Sequence, residues 1–381
     1  MEGMCFITHP LLKNDMTIPF KKKVTCNTID FLYNKEKSPP TMKIDSRKIA
    51  ATYDELGIVI LKPIIDKLTF GFSPTEQFLE QYDPTQSLEG YKKKIAAYLY
   101  GDAAVNTAGM SKVTGIPFMK SPYNSNLRYQ PPSSPTEGII IQVSPKKPES
   151  NLDFIKFNMN PSRFNDKALS EFRLFIEEIF QIVGKHLSYE AWMMWTKIYH
   201  MDVAIDILGA RPSDLVAHVL KGGKPFPCKS HSYNSSTGRI ETLYLNAKAG
   251  KSSSKKIYDK RVEQIEAGKD PVYGDCLHSR YESSVKKTAF YKIAGIQNPC
   301  SKISVKAVDY KKFKKLKHGL RLFIHKAIDR TLEKALEKVP AKHKPKYKQA
   351  YNDILHNIWD AEKIWESHWK NAVKSSGMFP K

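Results

Sequence analysis

Three short segments carry chemically useful side chains at the two-residue spacing of a β-strand. In Tyr199 to Asp206, the residues His200, Asp202, Ala204 and Asp206 fall on one face, and Met201, Val203 and Ile205 fall on the other, with Ile207 next in that series. In Lys255 to Lys260, Tyr258 and Lys260 share a side. In His278 to Lys286, so do His278, Arg280, Glu282 and Lys286. Carboxylates beside a histidine suit a hard divalent cation such as Mg²⁺ or Mn²⁺, and Asp202, Asp206, Glu282 and His200 form the expected ligand set. A tyrosine beside a lysine suits in-line attack on a phosphodiester. Tyr258 supplies the nucleophile, the cation neutralises charge on the phosphate oxygens, and Lys260 and Arg280 hold the phosphate. Lys260 also eases ionisation of the phenol, whose ordinary pKa is near 10. The expected chemistry is metal-dependent, tyrosine-based nicking of DNA.

Each residue taken singly has a plainer explanation. A polar strand face is often a solvated edge, and Tyr258 is one of 19 tyrosines. The reading rests on three such strands within one region.

These strands need a scaffold, and the flanking sequence predicts one. Ile65 to Phe72 alternates and ends at Ser73-Pro, a strand followed by a turn. Gly138 to Val143 and Phe154 to Met159 read as a hairpin pair joined through Ser144-Pro and Pro148, and Asn160-Pro-Ser ends the second strand. Ile240 to Leu245 pairs with Lys255 to Lys260. Ser87 to Tyr100 reads as a helix, and Ala168 to His186 carries Leu169, Phe172, Phe175, Ile176, Ile179, Phe180 and Val183 at helical spacing. Pro212 to Leu220 is expected to start as a helix with proline in its first turn. Residues 101–136, rich in Gly, Ser, Asn and Pro, are expected to be mostly loop. From Lys302 the character changes to clustered lysines and helical periodicity. The fold class expected is α+β, with a basic helical C-terminal segment. The divisions are residues 1–62 as a partly irregular extension with a basic arm, 63–300 as the catalytic unit and 301–381 as the basic helical region.

Composition narrows the partners. The chain has 381 residues and a formal charge of +22, which favours a polyanion and most directly nucleic acid. Lys255, Lys256, Lys311, Lys312, Lys314 and Lys315 are the expected phosphate-backbone contacts. Five scattered cysteines without a C-x-x-C pair argue against a disulfide framework or a zinc ribbon. No stretch approaches the roughly 18 apolar residues of a membrane span, and no secretory leader is read at the start. A cytoplasmic, DNA-bound protein is expected.

The order of these motifs resembles that of the replication endonucleases of filamentous phages and the related rolling-circle initiators of plasmids. The matching stretches are Asp66 to Phe72, Lys156 to Ser162, the His-x-Asp strand His200 to Asp206, the Tyr-x-Lys strand Ile257 to Glu263, and the Arg-x-Glu strand Ser279 to Lys286. The resemblance spans roughly residues 64 to 300. It implies a central antiparallel sheet with flanking helices, as in rolling-circle initiator nucleases. It implies nicking of one strand at a phage or plasmid origin, a 5′-phosphotyrosine intermediate, a free 3′-OH primer and later closure of the displaced circle. Origin DNA in duplex and single-stranded form would be the partner, with host helicase and polymerase following, in the bacterial cytoplasm. One feature departs from related relaxases, whose metal motif is His-apolar-His where this chain has His200-Met-Asp202.

Two alternatives stand beside it. Gly209 to Ala217 and His318-Gly-Leu-Arg321, with Tyr351 downstream, resemble the boxes of metal-free tyrosine recombinases. They lack the Gly-His pair expected before that nucleophile. A non-enzymatic basic DNA-binding protein is the other, and it leaves three polar strand faces unexplained.

Overall fold

A computed structural model describes residues 44–100, 112–116, 120–147, 149–183, 187–221, 224–226, 230–233, 240–245, 255–330 and 332–379. The expected basic arm at Lys21 to Lys23 and the Lys37-Ser-Pro-Pro loop lie outside these residues.

Alternation of apolar and polar side chains builds the strands. In chain order they are β1 (Ile49–Tyr53), β2 (Ile58–Leu61), β3 (Ile64–Phe72), β4 (Lys112–Gly115), β5 (Tyr123–Gln130), β6 (Ile139–Pro145), β7 (Ile155–Met159), β8 (Lys197–Leu208), β9 (Leu215–Lys221), β10 (Lys224–Phe226), β11 (Ser230–Tyr233), β12 (Ile240–Tyr244), β13 (Lys255–Asp259), β14 (His278–Ala289), β15 (Ile303–Val308) and β16 (Leu355–Asn357). The large sheet runs β11-β12-β13-β14-β8-β3-β7-β6-β5-β4, and β2 joins the far end of β8. A small sheet runs β10-β9-β15-β16. Every strand pairing among the described residues is antiparallel.

The large sheet is two-faced. Leu68, Phe70 and Phe72 of β3, Phe157 of β7, and Met201, Val203 and Ile205 of β8 form its apolar side. Helix α1 (Glu76–Tyr82), α2 (Leu88–Tyr100), α3 (Asp166–Val183) and α4 (Tyr189–Met193) supply the facing groups. Phe172 of α3 and Trp192 of α4 meet Phe70 edge-on, with ring centroids 6.4 and 6.1 Å apart. Such aromatic pairs add about 0.5–1.5 kcal/mol each beyond their buried area. The opposite face is polar, and Asp202, Asp206, Tyr258, Arg280 and Glu282 stand on it. Helix α5 (Lys260–Glu266) follows β13, and α6 (Tyr310–Lys315), α7 (His318–Arg330), α8 (Leu332–Leu336) and α9 (Lys344–Ile354) pack as a second cluster around Phe313, Phe323, Ile324 and Tyr351.

The chain after residue 300 is not purely helical. Val305 and Ala307 are buried where β15 pairs with β9. Helix α10 (Ala361–Glu366) and α11 (Trp369–Ser375) return to the main core. There Trp365 stacks on Trp369 at 4.3 Å and the Trp369 indole donates to Ile293 O. Phe379 packs on Phe290, and Tyr189 donates to Met378 O.

Three sequence expectations change. Pro212 to Leu220 opens as one 3-10 turn and then becomes β9, because Leu215, Val216 and Ala217 bury between neighbours of the small sheet. Residues 101–136 hold β4 and β5, where Tyr123, Leu127 and Tyr129 alternate into the core among polar residues that face the other side. Residues 49–61, expected to be irregular, form the hairpin β1–β2 on the edge of β8.

Candidate active site

Strand β14 lies between β13 and β8, and its register sets the site. Arg280 stands opposite Tyr258 on one side and Asp206 on the other. One step along, Glu282 stands opposite Lys256 and Ala204. One step further, Ser284 stands opposite Asp202, which in turn faces Lys67 of β3. Three polar rows therefore cross neighbouring strands on one face, as their two-residue spacing requires.

The Tyr258 hydroxyl donates to Glu282 Oε2 at 3.1 Å, and Lys256 Nζ lies 2.9 Å from Glu282 Oε1. Two ammonium groups flank the ring, Lys256 Nζ at 4.7 Å and Lys260 Nζ at 5.6 Å from its centroid. Burial, and then the Glu282 carboxylate, push the phenol far above its ordinary value, so the resting tyrosine is protonated. Lys260 does not share the strand with Tyr258. The strand ends at Asp259, whose side chain accepts from Val262 N and caps α5, and Lys260 is the first residue of that helix. Its ammonium is buried and lies 2.7 Å from Glu263 Oε2. The pair is adjacent all the same, because the helix starts where the strand stops.

Arg280 is fully engaged by carboxylates. Its Nε and Nη2 reach Asp206 Oδ1 and Oδ2 at 2.6 and 3.0 Å, and Nη1 reaches Asp66 Oδ1 at 2.7 Å. Burial opposes ionisation of Asp206, but the Arg280 guanidinium and the neighbouring His278 together outweigh it and hold that carboxyl well below the usual range. His278 Nε2 sits 2.9 Å from Asp206 Oδ1, outside hydrogen-bonding direction. His200 Nε2 lies 2.9 Å from Asp202 Oδ1, which also accepts from Ser284 Oγ at 2.6 Å.

Asp66 was not singled out by spacing. A register shift between Ile65 and Lys67 makes it the extra residue of a β-bulge, which turns its carboxylate onto the polar face. There it accepts from Arg280 and from Ser162 Oγ. A strict strand period puts Asp66 on the core side. The sole cue was an acid at a position that the period assigns to the core.

A cavity of about 460 Å³ opens beside these rows. Tyr258, Lys256, Lys260, Glu282 and Asp202 line it, together with Asp66. Asp206, Arg280 and His200 do not. The donor chemistry of Asp66, Asp202 and Glu282 fits a hard cation. Among the described residues, however, no group of three His, Cys, Asp or Glu side chains converges closely enough to hold one.

The expected DNA-contact lysines divide. Lys256 belongs to the site. Lys255 turns to the other face of β13, where its ammonium donates to Pro299 O. Lys311, Lys312, Lys314 and Lys315 are exposed on α6 around the buried Phe313. Tyr351, the nucleophile of the recombinase-like reading, is 5% exposed within the second cluster, and burial followed by Glu333 pushes its phenol up to about 12.

No protein-family model matches the sequence, and no curated protein matches it significantly. No helix among the described residues is long and apolar enough to cross a membrane.

Proposed function

We propose that the chain nicks one DNA strand at a phage or plasmid origin of rolling-circle replication, with Tyr258 as the nucleophile. The observation that carries this reading is the Tyr258 hydroxyl, held by Glu282 in a cavity and flanked by the ammonium groups of Lys256 and Lys260. The phenolic proton passes to Glu282 Oε2 as the tyrosine oxygen bonds to phosphorus. The bond from phosphorus to the 3′ oxygen breaks, and that oxygen takes a proton from solvent. The product is a 5′-phosphotyrosine and a free 3′-OH, a primer for polymerase on a strand that a helicase can displace. The phosphotyrosine keeps the energy of the phosphodiester, so attack by a later 3′-OH reverses the step and closes the displaced circle.

Lys256 and Lys260 stabilise the phenolate and the charged phosphate oxygens. Arg280, bound to Asp206 and Asp66, braces β8, β14 and β3 beneath the tyrosine. Asp202 and Glu282, which line the cavity with Asp66, would have to draw together to hold a Mg²⁺ or Mn²⁺ ion, which when bound would neutralise charge on the phosphate. The exposed lysines of α6 supply sequence-independent contact with duplex phosphates.

The test is incubation with a supercoiled replicon carrying its own origin and Mg²⁺, followed by mapping of the peptide linked to DNA. The expected linkage is at Tyr258. Tyr258→Phe keeps the ring, removes the attacking oxygen and should bind DNA without nicking it. Excess EDTA should stop the reaction, and added Mg²⁺ or Mn²⁺ should restore it. A linked peptide containing Tyr351, or nicking by Tyr258→Phe, would overturn the assignment.

A further inference from the structure

The cavity beside Tyr258 has little charge to spare for a polyanion. Carboxylates outnumber ammonium and guanidinium groups along its wall. The two cations that flank the tyrosine ring are paired already, Lys256 with Glu282 at 2.9 Å and Lys260 with Glu263 at 2.7 Å. A nucleic acid held here requires a contact that does not depend on charge.

Tyr244 on β12 provides one. Among the described residues, it and Tyr258 are the aromatic side chains that line the cavity. Tyr258 is buried with its hydroxyl bound to Glu282, whereas Tyr244 is only half-buried. The register fixes their relation. Thr242 stands opposite Tyr258, and Tyr244 stands opposite Lys256. Tyr244 is thus a diagonal neighbour of Tyr258 on the same sheet face. Such neighbours lie about 7–8 Å apart, within reach of aromatic side chains.

We infer that Tyr244 is the base-stacking residue of this site. Its ring takes the face of the nucleobase next to the phosphate that Tyr258 attacks, in a single-stranded segment. The assignment rests on the nicking reading above. Stacking suits the place, because every base has a π-face and the contact neither requires nor adds charge. A base fixed over β12 leaves its phosphate within reach of β13, about 4.8 Å away. That limits the drift of the phosphate before in-line attack.

The experiment uses the full chain with Tyr258→Phe, so that binding is read without cleavage. Two fluorescein-labelled probes are followed by anisotropy over a salt series. One is oligothymidylate, and the other is an oligomer of the same length whose sugars carry no bases. Tyr244→Leu keeps apolar bulk and removes the aromatic face. It should weaken binding of oligothymidylate about tenfold, the scale of one lost base stack. Binding of the abasic oligomer should not change. Nor should the slope of log K against log salt, since no phosphate contact is lost. Tyr244→Phe should bind both probes as the parent does, and Tyr244→Trp should match or exceed it on oligothymidylate. Equal losses on the two probes overturn the inference, since they mark a structural tyrosine. So does a loss in Tyr244→Phe as large as in Tyr244→Leu, which marks the hydroxyl and not the ring. So does a parent that binds the two probes equally, or a Tyr244→Leu variant that binds oligothymidylate as the parent does. If the probes behave as expected but the unmutated chain forms no adduct with the replicon, Tyr244 still stacks a base and the nicking reading fails. An adduct at Tyr258 with no effect of Tyr244→Leu leaves the nicking reading in place and removes the stacking.

Discussion

Tyr258 and Arg280 are register neighbours with opposite fates. The tyrosine keeps its hydroxyl at a cavity, while the arginine is spent on two carboxylates. Removing one partner of such a buried pair costs about 3–5 kcal/mol, because the other is left charged without compensation. Asp206→Asn should therefore lower stability strongly at neutral pH. The pH dependence has a definite sign. Asp206 has a folded pKa depressed below its ordinary 3.8, so its contribution is complete above that value and is lost as pH falls through the folded pKa. Thermal melts of the two proteins should differ most near neutrality and converge only in acid below about 3.8. A gap that stays constant into strong acid would show that Asp206 does not carry its ion pair in the folded state.

The motif strands were legible as elements because each alternates over a run long enough to set a period. Tyr199 to Asp206 and His278 to Lys286 both read as strands and are strands. The site was legible only where that period holds. Asp66 escaped because a bulge breaks the period, and Lys260 was placed on the strand because its sequence carries no visible stop except Asp259. That aspartate is a helix cap, and its weight can be measured. Asp259→Ala should cost about 1 kcal/mol and let α5 shift, slowing nicking through Lys260. Asp259→Asn or Asp259→Ser keeps a side-chain acceptor and should recover most of both losses. Full activity in Asp259→Ala would detach the first turn of α5 from the chemistry. Pro212 to Leu220 failed for a different reason. Proline in a first turn fits a 3-10 turn as well as an α-helix, and pairing with β15 decided between them.

On the scale of the molecule, the sequence suggests a core followed by a basic helical tail, and the packing ties the two together. Trp359, Trp365, Trp369 and Phe379 belong to the same cluster as Phe70 and Phe172. Truncating a single buried Trp or Phe to Ala costs about 3–5 kcal/mol, against a total stability of about 5–15 kcal/mol for a typical domain. A chain ended at residue 300 should lose cooperative melting and expose apolar surface to dye. Trp369→Ala in the full chain should lower the midpoint of denaturant unfolding without changing α6 or its lysines. A 1–300 fragment that melts cooperatively would show that the later helices merely lie against the sheet.

Because β8 pairs with β3, far before it in sequence, and with β14, far after it, the sheet should be late to assemble. Leu68 pairs with Met201, Ser284 pairs with Asp202, and Met378, just beyond α11, is buried. Such distant pairings fold slowly, since loop closure is costly before the contacts reward it. On a ribosome, Tyr258 would emerge after Asp66 and Asp206 but before Arg280, Glu282 and the buried Trp369 and Phe379. Newly made chains would thus pass through an interval in which the proposed nucleophile exists but its pocket does not. If the chain nicks DNA as proposed, the delay between synthesis and the first cut would be set by folding.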